Sequence, residues 1–154
     1  MRTAAAALAR AGLNTIAAQP PFIVAAERCF TALRDLDTYE DLRLFAHLLG
    51  PGLRSLLERA PRKLDAAAQA GQAARAEELR READDFMAPH PLLLLPVTRG
   101  PLPPPAAAPV PFDDLGPCRA ISLLGLPAVA VRGVQIVARR GHDEDALAAA
   151  ALLE

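Results

Sequence analysis

The side chains able to attack a carbonyl or move a proton are few in this chain. It holds one lysine, Lys63, two serines, Ser55 and Ser122, three histidines, His47, His90 and His142, and two cysteines, Cys29 and Cys118. Amide hydrolysis by a serine needs a hydroxyl that attacks the carbonyl carbon, a base that takes its proton, and fixed donors that hold the oxyanion. Ser55 lies between Arg54 and Leu56 in a helical run, and Ser122 between Ile121 and Leu123, where a mid-helix hydroxyl bonds back to its own turn. Lys63 follows Pro61-Arg62 at the start of a long helical pattern, a solvated position unlike the desolvated one that a lysine base requires.

Metal and thiol chemistry find no better footing. Of the histidines only His142 has carboxylates beside it, in His142-Asp143-Glu144-Asp145, and sequence neighbours are not expected to converge on one ion as i, i+4 ligands do. The acids read instead as helix-start residues, favoured by the exposed N–H groups and the dipole there. Cys29 falls on the apolar face of a helix and reads as a small core residue. Cys118, near a helix start, is expected to have a somewhat lowered pKa, with no histidine close in sequence to act as its base. The glycines from Gly125 to Gly133 lack the spacing of a dinucleotide or P-loop fingerprint. These readings assign no catalytic, cofactor-binding or metal-binding residue, and no cofactor.

Composition narrows the partners. The 17 basic residues are interspersed with 18 acidic ones, for a net charge of −1, so neither nucleic acid nor an anionic membrane surface is an expected partner. Arg99, Asp113, Arg119 and Arg132 interrupt the apolar C-terminal third before it reaches the roughly 20 residues a span needs. The Ala-rich start after Arg2 superficially suits a leader, but Arg10, Gly12 and Asn14 break any apolar h-region, so an ordinary helix is expected. Two widely separated cysteines suggest neither a disulfide scaffold nor a metal knuckle, and the expected location is the reducing cytoplasm. Apolar residues make up 52% but aromatics only 4%, so the core is built largely of Ala and Leu and is thinner than its apolar share suggests.

Periodicity places these residues on elements. A helix is predicted from Thr3 to Ala11 with Gly12 after its last turn, then a short strand Asn14 to Ala18 closed by Pro20-Pro21. Helices follow over Phe22 to Leu36, ended by Asp37-Thr38, over Tyr39 to Leu49, stopped by Gly50-Pro51, and over Leu53 to Ala60. The longest pattern, Pro61 to Met87, reads as a half-exposed helix with Gly71 as its weak point. Leu92 to Leu95, bounded by prolines, reads as a buried strand. Arg99 to Pro111 carries six prolines and reads as a surface loop within one domain in preference to a linker. A helix from Asp113 to Leu124 ends at Gly125-Leu126-Pro127. Ala128 to Val131, apolar on both faces, is expected to be a central strand, and Val134 to Ala138 its hairpin partner across Arg132-Gly133. Gln135, if buried, needs an amide partner. The acidic cluster at 142–145 precedes a last helix running to Glu154.

Several of these segments, in this order, resemble the C-terminal part of an amidase signature enzyme. The resemblance is carried by Pro91-Leu92-Leu93-Leu94-Leu95-Pro96, then Leu124-Gly125-Leu126-Pro127-Ala128-Val129-Ala130-Val131, then Val134-Gln135-Ile136-Val137. Ala6 to Gly12, Ile16, Pro20-Pro21 and the helices between Phe22 and Met87 fall in the family's order as well. It implies an α/β fold with helices packed on a small mixed sheet, and hydrolysis of a carboxamide to acid and ammonia. The family's lysine, its serine in a cis peptide and its nucleophilic serine in a Gly/Ser-rich stretch have no counterpart here, so none is carried over. Where the family has a longer insert between the last two strands, this chain has only Arg132-Gly133.

The expectation is a single, incomplete amidase-like domain over 1–154, inactive alone. Its substrate would be a small-molecule amide within a complete enzyme. The alternative is a non-catalytic partner that completes another chain's fold through strand pairing, with a complementing chain or a homo-oligomer as the partner this implies.

Overall fold

The computed structural model describes residues 1–59, 66–101 and 112–154. Its organising element is a hairpin. Arg132 and Gly133 both adopt positive φ, 49° and 81°, the primed-turn geometry whose twist matches that of the strands it joins. The hairpin pairs β2 (Ala128–Val131) with β3 (Val134–Ala138), in the register Ala128↔Val137 and Val131↔Val134. The strand β1 (Leu92–Pro96) pairs with the other side of β3, in the register Leu92↔Ala138 to Pro96↔Val134. The sheet order is therefore β1-β3-β2.

Helices on a small sheet give the α/β class expected. The sheet was expected to be mixed; among the described residues both pairings are antiparallel, because a two-residue turn can only reverse the chain and β1 runs opposite to β3. The strand expected to be central is at an edge. Every residue of β3 is buried, whereas Ala128 and Ala130 of β2 are exposed. Two apolar faces are necessary for a central strand but not sufficient, and methyl side chains tolerate exposure at little cost. The bond from Ala138 N to Pro127 O fixes the alternation of the ladder, so the amides of Ala128 and Ala130 point away from β3. Pro96, likewise on the outer side of β1, takes no donor from the ladder.

Five helices among the described residues cover the two faces. Leu93 and Val137 pack beneath α2 (Ile23–Leu42), α4 (Ala66–Met87) and α5 (Gly116–Leu124), with Phe22, Ala26, Leu79, Ala83, Met87, Ile121 and Leu124 filling the space between. Val134 and Ile136 face the opposite way, against Leu8 of α1 (Arg2–Arg10) and Ala149 and Ala150 of α6 (Asp143–Ala151). A short helix α3 (Pro51–Arg59) and two 3-10 turns, over Arg43–Leu48 and over Phe112–Leu115 ahead of α5, complete the described elements. The largest buried side chain, Phe22, meets Phe86 edge to face with ring centroids 5.6 Å apart, where such a pair adds about 0.5–1.5 kcal/mol to its area burial. Much of the remaining core is alanine, the thin core that the composition foretells.

Two helices end by the same device. After α1, Gly12 N bonds Ala9 O and Leu13 N bonds Leu8 O; after α5, Gly125 N bonds Ser122 O and Leu126 N bonds Ile121 O. Both glycines take positive φ, at 95° and 63°, so the Gly-Leu pair closes each helix in a Schellman motif.

Three boundaries differ from expectation. The helix from Ile23 runs through Asp37-Thr38 to Leu42 without a stop, because Asp and Thr cost only tenths of a kcal/mol inside a helix and neither Gly nor Pro intervenes. The pattern from Tyr39 to Leu49 then tightens into the 3-10 turn, all of it outside the core. Asn14 to Ala18 forms no strand. Ile16 is 60% exposed, and among the described residues no strand lies alongside to satisfy that backbone. Residues 61–65 of the predicted long helix and 102–111 of the proline-rich loop lie outside the described residues. No helix among those described is long and apolar enough to cross a membrane.

Candidate functional site

The residues singled out by type do not meet. Ser122 is exposed and its Oγ donates to Cys118 O at 3.0 Å, the back-bond expected of a mid-helix serine. Lys63 and the side chain of Ser55 lie outside the described residues. His47 is exposed on the 3-10 turn, and His90 tilts against Phe86 with ring centroids 5.5 Å apart.

Both thiols are tied to carbonyls. Cys29 Sγ donates to Gln72 O at 3.4 Å and Cys118 Sγ to Val97 O at 3.2 Å. Burial pushes the Cys29 thiol up, with Arg75 and Arg80 pulling weakly the other way. The lowered pKa expected for Cys118 is corrected. Its thiol is pushed up by burial.

The geometry at the start of α6 also corrects an expectation. His142 precedes the helix, and its Nδ1 lies 3.3 Å from Asp145 Oδ2. One ligand atom each from His142, Glu144 and Asp145 fall within 4.8 Å of one another, so neighbours across a helix start do converge. The cluster is solvated, sits at the positive end of α6 and shares its surroundings with Arg139 and Arg140. All three features oppose a cation and suit first-turn carboxylates. A hollow of about 290 Å³ lies beside it, lined by Asp84, Ala88, Arg139, Arg140 and His142. Arg140 is committed elsewhere, donating to Leu124 O at 2.8 Å and Gly125 O at 3.3 Å, while Arg80 Nε donates to Leu123 O at 3.0 Å. These two arginines satisfy the carbonyls at the end of α5.

The constellation that the structure does assemble centres on Glu27, which sequence reasoning missed. Its carboxylate is buried between α2 and α5, with a side chain only 10% exposed, and it accepts from Arg119 on α5 and from Arg99 after β1. Arg119 is 7% exposed and Arg99 50%. A Cβ on Gly116 would stand 2.6 Å from Glu27 Oε2, so only glycine lets the backbone of α5 close over the carboxylate. Arg99 N also donates to Asp114 O at 2.9 Å, joining the two ends of the proline-rich stretch. Val97 N bonds Gly133 O, and Thr98 Oγ1 bonds Gly100 O at 2.7 Å. Both oxygens of the Glu27 carboxylate already accept from guanidinium groups, one each from Arg99 and Arg119. Its effect is to tie α2, α5 and the segment after β1 together.

The available signal for Glu27 was weak. It lies between the buried Ala26 and the exposed Arg28, and acids beside an apolar stripe are usually solvated. Its partners lie 72 and 92 residues away.

Architecture and site together define an α/β fold of helices on a small antiparallel sheet, without a nucleophile–base pair among the described residues. Two solved structures of 6-aminohexanoate cyclic dimer hydrolase share that architecture, one complexed with substrate at TM-score 0.75 and 20% identity, the other at TM-score 0.74 and 19% identity. Each match covers 99% of this chain and 39% of that chain, so the 154 residues correspond to well under half of those proteins. At that identity the likeness is one of fold. No family model matches the sequence, and no curated protein sequence matches it.

Proposed function

We propose that this chain is the C-terminal portion of an amidase-like hydrolase, one that cleaves the C–N bond of a small-molecule carboxamide to acid and ammonia. The observation that carries the reading is the match of nearly the whole chain to a 39% share of a cyclic dimer hydrolase. The order of the Leu-rich strand, the Gly-Leu-Pro helix end and the Val-Gln-Ile-Val strand, which resembles the end of an amidase signature enzyme, supports it independently. The 154 residues would form a single domain in the cytoplasm, with the lysine and serine groups supplied by polypeptide outside them. The chain alone is then inactive.

The test is the intact mass of the protein in its source cells, together with hydrolysis of simple aliphatic and aryl amides by the purified 154-residue chain. A mass well above 16.3 kDa and no turnover by the isolated chain fit the proposal. Turnover that survives replacement of both Ser55 and Ser122 would overturn it.

A second reading, a non-catalytic subunit that completes another chain, is favoured by one feature. Along the edge of β2 the side chains of Ala128 and Ala130 are exposed and their amides point outward, with no charge or proline within the four residues, although Pro127 and Arg132 flank them. An endogenous mass of 16.3 kDa would favour this reading over the first.

A further inference from the structure

We draw no further inference here: the strongest candidate, the outward edge and exposed alanine face of β2, carries nothing beyond the subunit reading above, because nothing in the structure shows what covers it.

Discussion

Replacing Glu27 with alanine removes the carboxylate that Arg119 faces in a site where that guanidinium is only 7% exposed. Charges this deep interact through a medium far less polarisable than water, and deleting one partner of a buried pair costs about 3–5 kcal/mol. Whole-domain stabilities are about 5–15 kcal/mol, so the loss is a large fraction of the total. With a urea slope of about 1–3 kcal/mol/M, the midpoint of unfolding should fall by at least about 1 M. Arg99→Ala is the internal control. Its side chain is half exposed, where screening limits a pair to about 1 kcal/mol or less. Replacing Glu27 and Arg119 together by Leu and Met should recover most of the loss, because an apolar pair of similar volume leaves no charge to solvate. The measurement is urea unfolding followed by far-UV circular dichroism on the parent chain and all three variants. A Glu27→Ala loss no larger than that of Arg99→Ala would refute the argument that burial sets the weight of this cluster.

Other consequences can be checked on the same material. Gly116→Ala should cost about 1–3 kcal/mol by overpacking against the Glu27 carboxylate, and should cost little when added to Glu27→Ala; a double-mutant cycle reads the coupling directly. Ala130→Pro should be tolerated within about 1 kcal/mol because its N–H faces away from β3, whereas Val129→Pro, which breaks the ladder, should cost about 3 kcal/mol or more by thermal melt. Both thiols are pushed up on folding, so their protonated forms favour the folded state. That contribution is complete below the unfolded value of 9.0 and is lost as the pH rises through it towards the folded values. Stability of the parent chain should therefore fall more steeply above pH 9 than that of a Cys29→Ala, Cys118→Ala variant.

What could be read from the sequence was whatever short-range chemistry decides. Gly12 and Gly125 mark helix ends because only glycine takes that backbone at no cost, and Arg132-Gly133 marks a hairpin because two residues leave no other path. Gln135 is 4% exposed and its Nε2 finds Pro96 O at 3.1 Å, the partner that burial demanded. The errors fall where a distant neighbour decides. Ala128 to Val131 is apolar on both faces, yet on the face of Ala128 and Ala130 the helical layer stops at β3, and nothing within those four residues encodes that limit. Asn14 to Ala18 has the composition of a strand without a strand beside it. Glu27 is the same failure in electrostatic form, an acid whose burial depends on arginines in separate parts of the chain.

The bond between Arg99 N and Asp114 O has an implication for how chain length can vary here. Once those two groups meet, the ends of the intervening stretch are held together, and the entropy of closing a flexible stretch depends only logarithmically on its length. Doubling it would cost about 0.6 kcal/mol. Insertions between these two positions should therefore be cheap length changes. A reporter or affinity peptide spliced there would leave the carboxylate beneath α5 undisturbed.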